Sequence, residues 1–229
     1  MGAVKKIFIL HGWAYSTNKW QGVTDFMEKA SFSPKILDIP GLTEETEKVW
    51  TLDDYVEWLK KKLGGERAIL VGHSNGGRIA LAFAAKYPER LSHLILIDSA
   101  GVYRNGLPIR IKRLVFGTAA KLGKKITKSQ ILRDLLYKAA RESDYKNAAP
   151  KMRETMANLI STDLTPLLNQ VTTPTLIIWG KLDKDTPLSD AKLMHALIKN
   201  SELYVISDAR HSPQFTHTEE VCRKIAEKL

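Results

Sequence analysis

A serine, a carboxylate and a histidine, far apart in the chain, have the types needed to open an acyl bond. The serine lies in "RAILVGHSNGGRIALAFAAKY", residues 67–87, where an apolar run stops at "GHSNGG" and an alanine-rich helical pattern begins at once. A Cβ at Gly72 or Gly76 would crowd so tight a reversal, and the Ser74 hydroxyl is forced outward. The helix that follows offers unpaired N–H groups and a partial positive charge at its start, which favour a developing oxyanion. This is the Gly-x-Ser-x-Gly nucleophile elbow in its strand-to-helix setting. The alternatives are a phosphate-binding turn or a plain glycine-rich connection. No Gly-Lys-Ser/Thr follows, and Gly72, Gly76 and Gly77 do not have the spacing of a dinucleotide fingerprint.

A serine hydroxyl is a weak nucleophile until a base removes its proton and a third group orients that base. The chain order expected after such an elbow is serine, acid, histidine. After "PTLIIWG" (174–180) comes "KLDKDTP", which places Asp183 three residues beyond Gly180; after "ELYVIS" (202–207) comes "DARHSPQ", which places His211 in the next loop. Both loops leave the carboxyl ends of strands, the edge at which open α/β sheets bind ligands. Asp185 competes for the acid role, but Gly-x-x-Asp followed by Pro187 favours Asp183 and leaves Asp185 solvated. His217 reads as a surface or capping residue, and His93 and His195 as ordinary surface or helix residues. His73 flanks the elbow without a forced role. No histidine pairs with cysteine or carboxylates at metal-ligand spacing, so no metal and no cofactor are expected.

These loops need a scaffold. Short apolar runs at 5–12, 35–41, 67–72, 93–100, 174–180 and 202–207 read as six strands. Helical periodicity falls between them at 52–63, 76–87 and 188–199, with a last helix near 217–228. Thr51 or Asp53 caps the first of these helices. Continuous apolar strands separated by helices predict an α/β fold, a parallel sheet of about six strands covered on both faces. Residues 101–170 break the rhythm with helical patterns and no convincing strand. They are expected to form an inserted helical cap on a core made of 1–100 and 171–229.

The chain has 229 residues and one cysteine, Cys222, which excludes an internal disulfide and suits a buried hydrophobe. No apolar run approaches a membrane span. "IFIL" near the start is too short for a signal peptide, and a cytoplasmic home is expected. The net charge of +10 is local: residues 101–153 hold fourteen Lys and Arg against Asp134, Glu142 and Asp144, a balance of +11. Within 106–126, Leu107, Ile111, Leu114, Val115, Thr118, Leu122 and Ile126 form an apolar stripe, with the basic residues on other faces. A solvated outer face is the favoured reading. Weak contact with an anionic membrane surface and steering of an anionic substrate are the alternatives. The segment lacks a recognition module and a stacking platform, so no nucleic-acid partner is expected.

Together "LHGWAYSTNKW" (10–20), "LDIPG" (37–41), "GHSNGG" (72–77), "YPERLSHLILIDSA" (87–100), "PTLIIWGKLDKDTP" (174–187) and "SDARHSPQ" (207–214) resemble the α/β-hydrolase superfamily. The likeness extends to its small microbial serine esterases and meta-cleavage-product hydrolases. The resemblance implies a catalytic triad of Ser74, Asp183 and His211. It also implies an oxyanion hole from the backbone N–H groups of Trp13 and Asn75, with His11 bracing the first of these loops. Substrate contacts are expected from the cap, residues 101–170. Asp98 is a rival acid, since some members of that fold carry the acid there, but a structural or substrate-lining role suits it better. Because the family usually opens with an antiparallel pair, a trimmed sheet is expected here. The activity implied is hydrolysis of a carboxylic ester or thioester of small to medium acyl chain by a monomer or homodimer. The alternatives are carbon–carbon bond hydrolysis on the same triad and a ligand receptor with vestigial hydrolysis.

Overall fold

The computed structural model describes residues 5–14, 16–65, 67–102 and 149–229. Six strands form one sheet: β1 (Lys5–Leu10), β2 (Phe32–Ile36), β3 (Ala68–His73), β4 (Leu91–Ile97), β5 (Thr175–Gly180) and β6 (Ser201–Ile206). Their order is β2-β1-β3-β4-β5-β6, and every neighbouring pair is parallel. The expected six-stranded parallel α/β sheet is thus the one observed. β3 and β5 bury every residue, which is why "AILV" and "TLIIW" are unbroken apolar runs. The edge strands β2 and β6 are only half covered.

The second strand lies earlier than the sequence pattern suggests, at Phe32–Ile36 rather than 35–41. Pro34 falls inside it, opposite Ile7, and is tolerated because an edge strand leaves N–H groups unpaired anyway. "LDIPG" then bends off the sheet: Thr43 Oγ1 accepts the Ile39 N–H at 2.9 Å, and Gly41 takes φ +83°. Leu37 and Ile39 are buried nonetheless, so their apolar pattern reports burial under a loop.

Among the described residues the α-helices are α1 (Gln21–Lys29), α2 (Leu52–Leu63), α3 (Asn75–Lys86), α4 (Pro150–Ser161), α5 (Leu188–Leu197), α6 (Pro213–Thr216) and α7 (Thr218–Lys228). α2 matches its predicted span, and its N-cap is Thr51, closed into a capping box with Asp54. One helix was not expected: α1 fully buries only Val23 and Met27, too few for a readable stripe. α7 matches the final helix expected near 217–228, and the short α6 precedes it, set apart at His217, whose ψ of 44° is not helical. α1 and α7 cover one face of the sheet through Val23, Met27, Val221, Cys222 and Ile225. The other face is packed by α2, α3, α4 and α5, through side chains such as Tyr55, Leu59, Phe83, Leu159 and Met194.

Most of the expected cap, including the 106–126 stripe and its basic residues, lies outside the described residues. Its described end packs on the core: Met152, Met156 and Leu159 of α4 are buried, Thr155 Oγ1 accepts the Trp50 N–H at 2.9 Å, and Arg78 Nη1 donates to Thr162 O at 2.8 Å. The chain runs outward from β1 to β2, then returns to β3 on the other side of β1. The loops after β1 and β3 therefore part at a switch point, where such sheets open a crevice.

Candidate active site

Ser74 is held where its type and spacing placed it, between the end of β3 and the first turn of α3. Its backbone is at φ 52°, ψ −119°, a conformation costly for a residue with a Cβ. The Ser74 N–H donates to Ile97 O at 3.1 Å, and Ser74 O accepts N–H groups from Arg78 (3.2 Å) and Ala100 (2.9 Å). The glycines permit this by contact. A Cβ on Gly72 would lie 2.7 Å from Gly77 Cα, and one on Gly76 would lie 2.2 Å from Leu10 O. Gly77, whose need was not apparent from sequence, abuts Ser99 Oγ, which an added Cβ would meet at 2.2 Å.

His211, between β6 and α6, stands between the other two candidates. Its Nε2 is 3.1 Å from Ser74 Oγ and its Nδ1 is 2.8 Å from Asp183 Oδ2. The tautomer that suits both contacts carries its proton on Nδ1, donating to the carboxylate and leaving Nε2 to accept from the hydroxyl. Asp183 is buried in the loop after β5. Its Oδ1 accepts the N–H groups of Asp185 (2.7 Å) and Thr186 (3.1 Å), and its Oδ2 accepts the Thr186 hydroxyl at 2.7 Å. Asp185, the rival acid, is exposed and serves Asp183 through its backbone. Thr186 was missed as a site residue; its signal is a threonine three places beyond the acid, the spacing of a turn closed on an aspartate.

Burial pushes the Asp183 pKa up, but the bond and charge of His211 with the Thr186 and Asp185 donors outweigh it, and the carboxyl sits below its ordinary value. Burial likewise acts to lower His211; the bond to Asp183 and the charges of Asp183, Asp98 and Asp185 override it and hold the imidazole above its usual 6.5. His73, beside the serine, is the opposite case. Burial, then the charges of His211 and His11, drive it well below that value, and it remains neutral. Its ring lies 5.0 Å from that of His211, and its Nε2 is 3.2 Å from Ser212 Oγ.

The loop after β1 brings Trp13 alongside. A Cβ on Gly12 would lie 3.1 Å from Ser74 Cβ, so this loop and the elbow are in contact. His11 is fully buried and ties the loop down, with Nδ1 2.8 Å from Gly12 O and Nε2 3.1 Å from Thr43 Oγ1. Asn75 opens α3, so its N–H has no acceptor within the helix.

Asp98 is brought to the site although no role was forced on it by sequence. It is fully buried, with Oδ1 accepting the Gly180 N–H and Oδ2 the Ser212 N–H, each at 2.9 Å. Oδ2 is also 4.0 Å from His211 Nδ1. Burial and the Asp183 charge push its pKa up to about 7. Asp98, Asp183 and His211 offer ligand atoms within 4.8 Å of one another, the grouping here that could hold a cation, but N–H donors already occupy both carboxylates. The other histidines lie elsewhere: His217 pairs with Asp208 at 3.2 Å, and His195 with Ser201 Oγ at 2.9 Å. Among the described residues, no helix is long and apolar enough to cross a membrane.

A buried carboxylate, a histidine of raised basicity and a serine at a helix N-terminus are arranged so that a proton can pass from the hydroxyl to the imidazole. Comparison with known proteins places the chain beside hydrolases. The family model described as alpha/beta hydrolase fold matches residues 6–218. The chain is 27% identical to 2-hydroxy-6-oxo-6-phenylhexa-2,4-dienoate hydrolase of Comamonas testosteroni, covering 97% of this chain and 86% of that one. It is also 27% identical to a pimeloyl-[acyl-carrier protein] methyl ester esterase of Hamiltonella defensa, covering 93% and 88%. A thermophilic esterase from Thermogutta terrifontis superposes with a TM-score of 0.72 at 25% identity, covering 99% of this chain and 89% of that one.

Proposed function

This chain belongs to the alpha/beta hydrolase fold family and is a hydrolytic enzyme, and from that premise we propose that it cleaves a carboxylic ester or thioester of small to medium acyl chain through Ser74, His211 and Asp183. The observation that carries the reading is the unbroken path from Ser74 Oγ to His211 Nε2 at 3.1 Å and from His211 Nδ1 to Asp183 Oδ2 at 2.8 Å.

In this mechanism His211 Nε2 takes the Ser74 proton as Oγ attacks the acyl carbonyl. The Trp13 and Asn75 N–H groups receive the oxyanion, helped by the positive end of α3. Asp183 stays ionised, keeps the imidazole in its tautomer and stabilises its charge. The imidazolium returns the proton to the departing alcohol or thiol. Water, deprotonated by His211, then releases the acid from Ser74. No cofactor enters these steps. Substrate contacts are expected from the cap, residues 101–170.

A second reading, hydrolysis of a carbon–carbon bond in a vinylogous diketone, is favoured by the Comamonas testosteroni relative, which is as similar as the esterase. Intact mass after fluorophosphonate treatment tests the shared part. One adduct on the native protein and none on Ser74→Ala is the expected result; an unlabelled native protein would refute an activated Ser74. Parallel assays with p-nitrophenyl esters, acyl thioesters and a vinylogous diketone then separate the two reactions.

A further inference from the structure

Four non-glycine residues have positive φ among the described residues, and three of them meet at this site: Ser74 (52°), Asp98 (41°) and Ser212 (88°). Such conformations persist where the surroundings over-determine them, and they cluster where a side chain must be aimed. Here the surroundings are specific. Asp98 directly follows β4, its own N–H donating to Ile178 O at 3.1 Å, and two residues later the Ala100 N–H reaches Ser74 O at 2.9 Å. Its carboxylate bridges outward, Oδ1 to the Gly180 N–H, where the Asp183 loop leaves β5, and Oδ2 to the Ser212 N–H, directly after His211. A Cβ on Gly180 would lie 2.4 Å from Arg210 O, so these two loops are pressed together at the point the carboxylate bridges. One buried side chain thus touches the roots of both loops, while its neighbouring backbone holds the elbow.

We propose that Asp98 is a positioning residue, its carboxylate pinning the Ser212 and Gly180 N–H groups so that the His211 ring stands in line between Ser74 and Asp183. The inference rests on the proposed role of His211 as base, but the clamp itself can be read without any turnover. Burying a carboxylate against a second acid is unfavourable in isolation, and a hydrophobe would fill the space more cheaply. The two N–H donors give that burial a purpose.

The groups that face His211 among the described residues are Asp183 and Asp185 from the β5 loop, Asp98 from the end of β4, and His73 from β3. Asp98→Asn keeps the volume but turns an NH2 group towards one of the two N–H groups. The test compares native protein, Asp98→Asn and Ser212→Gly by amide hydrogen exchange and by the rate of fluorophosphonate labelling across pH. In Asp98→Asn the Ser212 and Gly180 amides are expected to exchange at least about tenfold faster. Labelling should slow by about ten- to a hundredfold, as misplacement approaching an ångström does. Its midpoint should move to lower pH, since an acid beside His211 is gone. Ser212→Gly keeps the N–H that Asp98 holds and should retain the native midpoint and exchange at Gly180. Native exchange at both amides in Asp98→Asn, or slower labelling with an unmoved midpoint, would overturn the proposal. A native protein that is not labelled would sink the hydrolase mechanism instead, while the exchange data still judged the clamp.

Discussion

Gly76→Ala probes the approach of α3 to the end of β1, on which both the elbow and the Trp13 loop depend. The added Cβ would lie 2.2 Å from Leu10 O and 2.5 Å from His11 O, whereas Cβ atoms essentially never come within 3.0 Å of another heavy atom. Both obstacles are backbone, so no rotamer change relieves them, and α3 and the β1 loop must part by at least 0.8 Å, the difference between 3.0 and 2.2 Å. Alanine gains up to about 1 kcal/mol of helix propensity over glycine, and less than that in a first turn. Overpacking a close contact costs about 1–3 kcal/mol, so the steric term wins. At about 2–4 °C per kcal/mol for a chain of this size, Tm is expected to fall by several degrees. The functional cost is larger, because the two proposed oxyanion donors sit on the two elements being separated. A displacement near 1 Å lowers kcat by about a hundredfold. The assay is p-nitrophenyl ester hydrolysis alongside thermal unfolding, with Gly65→Ala, where nothing lies within 4 Å of the new Cβ, as the neutral control. A Gly76→Ala protein with native Tm and native kcat would refute the reasoning about this contact.

Four further outcomes are expected. In the proposed mechanism neutral His211 is the base, and its pKa is raised, so kcat/KM should fall as pH drops through a midpoint above 6.5. Asp183→Asn should move that midpoint down and cut kcat by about 10⁴-fold, as the equivalent change does in a serine protease triad; a midpoint that stays put would deny Asp183 its place. Thr51→Ala breaks the capping box of α2 and should cost about 1 kcal/mol, seen as a Tm loss of about 2–4 °C with kcat unchanged. Cys222 is fully buried and its thiol is pushed up to about 12 by that burial, so it should resist Ellman's reagent at pH 8 until the protein is unfolded; reaction in the native state would contradict the packing of α7.

The elements that could be read from the chain are those whose pattern has one physical cause. β3 and β5 are buried on both faces, so every position is constrained and the run is continuous. α2 shows its apolar face at helical spacing, and of its two candidate caps, Thr51 and Asp53, Thr51 is the one observed. The elbow was legible because only glycine survives at 72 and 76, and Asp183 and His211 stood out as candidates because they follow the chain order expected after an elbow and lie in loops that leave the same sheet edge. Where two causes give one pattern, the reading slipped: Leu37 and Ile39 are apolar because a loop buries them, and the strand lies earlier, across Pro34.

Sequence alone therefore determined the α/β sheet, its strand count and the residue types brought to its edge. The spacing favoured Asp183 over Asp185, but only the tertiary structure shows Asp183 turned towards a histidine 28 positions on, with Oδ2 2.8 Å from His211 Nδ1. It also decided what Asp98, Thr186 and Gly77 touch. Asp98 meets Ser212 and Gly77 meets Ser99, and contacts between residues that far apart along the chain leave no periodicity or local spacing to read; Thr186, three residues from Asp183, carried a local signal whose meaning only the fold supplied.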